Sequence, residues 1–203
     1  MVDLKSLEER FAKKIKRLNR MIANMVTMNE VEYAYDQLRQ IVPDGMRVND
    51  ITMDFILQNQ ALVTSFVIAY GRMFASSSNT SQLNPGKLPE ELKPLHHTLI
   101  ELRNQRYAHH GGHPSQSTEA KITFDGEAIV LVQQYQSGMW LGAPQEWRPL
   151  VLFWREHIYN QVHDQLDFLT RESGVPWKMK DGPKPSYASR NDESESRSDQ
   201  ARG

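Results

Sequence analysis

The sequence predicts a mainly α-helical protein: an antiparallel helical bundle with a small β-hairpin inserted before a last long helix. Three observations carry this. Apolar residues recur at three- and four-residue spacing through most of the chain, only two short runs are β-like, and the stripe from Trp147 to Leu169 is the longest and most regular. A length of 203 residues suits one sizeable core, so one helical domain over 1–173 is expected, with a hairpin at 120–135, followed by a disordered polar tail over 174–203.

Leu4, Leu7, Phe11, Ile15, Leu18, Ile22 and Met25 form the stripe of a first amphipathic helix. Asn29 with Glu32 resembles a capping box and would open a second helix carrying Val31, Tyr35, Leu38 and Val42 inward, until Pro43-Asp44-Gly45 ends it. Asp50 is placed to cap a third helix reaching Phe74, with Phe55, Leu62, Phe66, Val67 and Tyr70 on its apolar side. The polar run Ser76 to Ser81, closed by Pro85-Gly86, reads as a loop. Pro89 or Pro94 suits the first turn of a fourth helix whose buried side is Leu92, Leu95, Leu99 and Leu102, and Gly111-Gly112 stops it. The β-like runs Ala120 to Phe124 and Ala128 to Tyr135 flank Asp125-Gly126, a tight-turn dipeptide. A two-stranded hairpin is barely stable alone, so it is expected to lie against the helices. Trp147 and Trp154 share the last stripe with Leu150 and Ile158 and read as core.

Composition excludes several chemistries. Lys and Arg number 24 against 25 Asp and Glu, so any attraction to polyanions must be local. Between Arg10 and Arg20 the first helix carries Arg10, Lys13, Lys14, Lys16, Arg17 and Arg20 with no acid, which is either a solvated face, a phosphate-attracting ridge or a surface for a partner helix. Zero cysteines remove disulfides, thiolate nucleophiles and cysteine-ligated metals. No glycine-rich phosphate loop is present, and no cofactor is expected. No apolar run approaches membrane-spanning length and no signal-type segment opens the chain, so a soluble, cytoplasmic protein without membrane association is expected.

Unusual residues concentrate in one place, Glu101 to His113. At about 100° per residue, Arg103, Arg106, His109 and His110 continue the leucine stripe, whereas Asn104 projects to the opposite side. Cations that follow leucines inward need partners. Three explanations compete: a helix C-terminus whose cations satisfy the last carbonyls and stay exposed, a metal site using His109, His110 and His113, or a phosphodiester site. Adjacent helical histidines diverge and no nearby carboxylate has ligand spacing, so no metal is expected. His96 and His97 read as surface or boundary residues, and His157 and His163 share no spacing with a ligand partner.

Arg103-Asn104-Gln105-Arg106-Tyr107-Ala108-His109 resembles the motif of HEPN domains, an arginine followed by a polar residue and then a histidine. Five residues separate Arg103 from His109 and six separate it from His110. The layout over 1–172 is similar too, an α-helical bundle with the motif late in the chain before a final long helix. The resemblance implies an RNA-binding, metal-independent endoribonuclease, often a toxin in toxin-antitoxin, abortive-infection or antiviral defence systems, and often a homodimer. It implies that Arg103 holds the scissile phosphate, that His109 moves a proton, that Asn104 orients either group, and that Arg106, Tyr107 and His110 support them. An antitoxin or sensor protein is a further implied partner. From the residues alone the alternative stays open: a non-catalytic helical module that binds a protein partner or a phosphorylated ligand.

Overall fold

The computed structural model describes residues 3–42, 46–76, 80–107, 116–137 and 140–180. The protein is mainly helical, in the order α1 (Leu4–Ile41), α2 (Met53–Arg72), α3 (Lys93–Leu102), β1 (Gln116–Phe124), β2 (Ile129–Ser137) and α4 (Trp147–Ser173). Among the described residues the strands form one antiparallel pair.

Two helices expected at the start are one. α1 runs for 38 residues, about 57 Å at the usual helical rise. Residues 4–41 contain neither Gly nor Pro, and the step from Met25 to Met28 to Val31 keeps the apolar stripe in phase, so Asn29 never leaves the helix to act as a cap. Asp3 caps its start, accepting from the Ser6 N–H at 3.3 Å. The cap of α2 is Thr52, whose hydroxyl accepts from the Phe55 N–H at 3.2 Å, rather than Asp50. Asp50 instead accepts from the Arg47 N–H at 2.9 Å and closes a short 3₁₀ turn.

Two clusters of buried side chains divide the molecule. In the main one, Met28, Val31, Tyr35 and Leu38 of α1 meet Val63, Phe66, Val67 and Tyr70 of α2, Leu99 and Leu102 of α3, and Trp147, Leu150, Trp154 and Ile158 of α4. Phe66 stacks on Trp147 with ring centroids 4.6 Å apart, and both tryptophans of the stripe are core residues, as their spacing predicts. Burial on this scale is the dominant stabilising term. The second cluster joins the N-terminal half of α1 to the C-terminal half of α4 through Phe11, Leu18, Met21, Val162, Leu166 and Leu169. Here two antiparallel helices extend past the bundle as an arm.

Segment 174–180, expected within the disordered tail, is instead seated on this arm. Gly174 ends α4 in the left-handed region at φ 72°, turning the chain back. Trp177 then packs edge-on against Phe11, its indole N–H donating to Ser173 Oγ at 2.9 Å. The remainder of the expected tail, 181–203, lies outside the described residues.

Polar groups fasten the connections. Asn59, fully buried on α2, donates to the Trp140 carbonyl at 2.7 Å and accepts from the Gly142 N–H at 2.9 Å, which sets the entry into α4. Gly142 has φ 72°, and a Cβ there would meet the Leu38 carbonyl oxygen at 3.0 Å, so both conformation and space demand glycine. Buried Asn24 of α1 donates to the Ser81 carbonyl, anchoring the chain beyond α2.

The hairpin departs from expectation. Its register runs from Gln116↔Ser137 to Phe124↔Ile129, and Asp125 organises the turn by accepting from the Glu127 and Ala128 N–H groups at 3.0 and 2.9 Å. Yet Ile122, Phe124, Ile129 and Leu131 are each more than 60% exposed, so the described tip does not lie against the helices. These residues share one face as the cross-strand pairs Ile122↔Leu131 and Phe124↔Ile129, and that face stays open to solvent.

Candidate functional site

α3 does not simply stop. At Arg103 the α-helix widens into a π-turn over Arg103–Tyr107. Such turns are rare and concentrate at functional sites, because the wider ladder re-aims side chains that a regular helix would scatter. Asn104 illustrates this. A regular helix would direct it away from the cations, whereas here its Oδ1 accepts from Arg103 Nη1 at 2.8 Å.

Arg103 is half-buried, and the reason lies across the helix interface. Its aliphatic stem crosses α2 at Gly71, where a Cβ would lie 2.8 Å from Arg103 Cγ and 3.2 Å from Cδ. Only a residue without a side chain lets the stem through unhindered. Arg103 Nε is buried and finds no hydrogen-bond partner, and no carboxylate lies within ion-pair distance of the guanidinium among the described residues. Arg106 is only 6% exposed, with its guanidinium carbon 5.2 Å from the Tyr107 ring centroid. These positions differ from a plain C-terminal arrangement, which predicts exposed side chains turned onto the last carbonyls. His109, His110 and His113 lie outside the described residues, so the structure joins Arg103 to Asn104, and Arg106 to Tyr107, without placing the histidines.

Two helical turns upstream on the same face of α3 sits His96, expected at the surface or the boundary and found buried, 3% exposed. Its Nδ1 lies 2.7 Å from the Tyr70 hydroxyl, and Phe74 meets its ring edge-on. Burial, helped by electrostatic repulsion from the neighbouring His97 imidazole, pushes its imidazole down to about 4, so it is neutral at physiological pH. The correction has a simple cause. Position 96 faces Tyr70 of α2 and Phe74 just beyond it, and the Tyr70 hydroxyl there replaces the hydrogen bond that water would supply.

Tyr70 and Gly71, consecutive on α2, thus receive His96 and Arg103 of α3. The sequence carries a faint trace of this: Gly71 is a glycine inside an otherwise helical pattern, which often marks close packing, and His96 stands seven residues before Arg103. Neither signal names its partner.

Neither family models, nor curated proteins, nor solved structures yield a match to this chain. Its own residues therefore carry the functional reading. Chemically, the π-turn offers a guanidinium held in one orientation by a neighbouring amide, with spare donors and no competing anion within reach among the described residues. That is suited to gripping a phosphate.

Proposed function

We propose that this protein is an HEPN-like, RNA-binding endoribonuclease that works without metal. The observation that carries the reading is Arg103, its stem wedged at Gly71, its guanidinium oriented by Asn104 and without a carboxylate partner among the described residues, six positions before His109. Arg103 binds the scissile phosphate and stabilises the charge that builds on it. His109 takes the proton of the ribose 2′-hydroxyl, whose oxygen attacks phosphorus. The bond from phosphorus to the 5′-oxygen breaks, and a second imidazole, His110 or His109 of another copy, protonates that oxygen. The products are a 2′,3′-cyclic phosphate and a 5′-hydroxyl. Asn104 holds the guanidinium, while Arg106 and Tyr107 support the turn.

A cytoplasmic homodimer that acts as a defence toxin, restrained or triggered by an antitoxin or sensor protein, completes the proposal. Among the described residues no helix is long and apolar enough to cross a membrane. A second reading, a non-catalytic module that binds a protein partner or phosphorylated ligand, is favoured by the exposed Met53 and Leu57 on α2 and by the exposed apolar face of the hairpin.

Incubation of labelled RNA with the protein in EDTA separates the readings. Cleavage that persists in chelator, leaves cyclic phosphate ends, and disappears in both Arg103→Ala and His109→Ala supports the nuclease. Cleavage lost with EDTA, or retained in both variants, overturns it, and binding without cleavage favours the module.

A further inference from the structure

The cations of α1 divide once the helix is packed. Arg10 donates to the Glu172 carbonyl at 3.2 Å, and the Lys14 ammonium stands 4.6 Å from the Phe168 ring centroid, so both lean across onto α4. Between the two helices of the arm lies a groove of about 260 Å³, lined by Lys14 and Arg17 from α1, by Asp164, Gln165 and Arg171 from α4, and floored by Phe168. No Lys or Arg from Arg10 to Arg20, nor Arg171, forms an ion pair among the described residues. Three cations therefore face the groove against one carboxylate, Asp164.

Gln165 adds an independent sign. It is only 6% exposed, and its amide nitrogen is buried with no hydrogen-bond partner. A buried donor left unmatched is destabilising, so a position lined by Met21 and Phe168 would be better filled by an apolar residue unless something accepts from it.

We propose that this groove between α1 and α4 is a binding site for the phosphodiester backbone of single-stranded RNA, separate from the π-turn. Lys14, Arg17 and Arg171 neutralise neighbouring phosphates, and Gln165 donates to a phosphate or ribose oxygen. The choice of RNA rests on the function proposed above; the location and the anionic chemistry rest on the arm alone. The groove lies about 20 Å along α1 from the level of Arg72, which pairs with Glu30 next to Gly71. A strand held there would reach the π-turn only over several nucleotides.

The test uses the full chain and a 2′-O-methyl oligonucleotide, which cannot be cleaved through its 2′-oxygen, so that binding is read without catalysis. Fluorescence anisotropy is measured over a range of salt. The Lys14→Gln/Arg17→Gln/Arg171→Gln variant is expected to bind at least tenfold more weakly, with the slope of log affinity against log salt reduced by about 2, as loss of three single-strand phosphate contacts implies. A control of equal charge change on exposed cations elsewhere, Arg47→Gln/Lys87→Gln/Lys121→Gln, keeps affinity and slope close to the parent. Gln165→Leu binds several-fold more weakly with an unchanged salt slope and a melting temperature no lower than the parent's. Unchanged affinity in the groove variant, an equal loss in the control, or capture of a phosphoserine peptide with no RNA binding overturns the assignment. Arg103→Ala distinguishes the two proposals: if it abolishes cleavage while the groove variant binds normally, the groove fails and the nuclease stands, and groove-dependent binding without any cleavage gives the reverse.

Discussion

Two regions of this molecule hold cations in opposite ways. At the π-turn, Arg103 and Arg106 are drawn into the bundle, their stems packed and one guanidinium tied to Asn104. Along the arm, the cations of α1 are many, mostly solvent-facing and free of carboxylate partners among the described residues. Packing gives a charge a fixed position, which is what stabilising a transition state requires; exposure gives reach and numbers, which is what holding a long polyanion requires. The contrast extends to the scaffolds. The bundle end is built on four helices with buried polar clamps, whereas the arm has only two helices and a small cluster.

The largest expected effect breaks the contrast at its chemical end. Arg103→Ala lowers the rate of RNA cleavage by about 10²–10³-fold, the usual cost of removing one preorganised donor, while arm-dependent binding measured by anisotropy persists. Next, Asn59→Ala strands the Gly142 N–H and the Trp140 carbonyl and costs about 2–4 kcal/mol in urea unfolding, because it loosens the bundle where α4 begins.

Acid loosens the bundle at His96. His96 has a lower affinity for protons when folded than when unfolded, so its contribution is fully present above pH 6.5 and drains away as pH falls toward about 4. The loss approaches roughly 3 kcal/mol. Glu32 and Asp36, whose carboxyls burial pushes up, oppose this over the same range, so the clean measurement is a difference: Tyr70→Phe/His96→Leu unfolds with a shallower pH dependence than the parent.

A subtler change tests whether position alone matters at the π-turn. Gly71→Ala places a methyl against the Arg103 stem, so cleavage falls by about tenfold with a melting temperature within a few degrees of the parent. Smallest of all, Trp177→Ala frees the segment after α4 from Phe11 and costs about 1 kcal/mol in thermal unfolding, with cleavage unchanged because the arm's end stands apart from the π-turn.

Much of the architecture was legible in advance. The stripes of α1, α2, α3 and α4 predicted which residues face the core, and Asp125 marked the hairpin turn. The errors share a cause. The false break at Asn29 came from weighing a two-residue capping signal above a continuous stripe, and the hairpin was assigned to the bundle from a general rule about isolated hairpins, whereas Ile122, Phe124, Ile129 and Leu131 stay exposed. Of the candidate site, the cationic run and its inward phase could be read from Arg103 and Arg106. The Asn104 contact could not, because the projection assumed a regular helix. Nor could Gly71 and Tyr70, which stand more than twenty residues away from the groups they receive.

Local spacing thus specified the helices, their buried sides and the cluster of cations near position 103, since a helical repeat is written in neighbours three and four apart. Folding in three dimensions settled matters that no neighbour encodes. It selected a glycine to admit the Arg103 stem, neutralised His96 beside a tyrosine, and faced α1's lysines and arginines with Arg171 and Gln165. Each depends on which helix faces which, and that follows from packing the whole core.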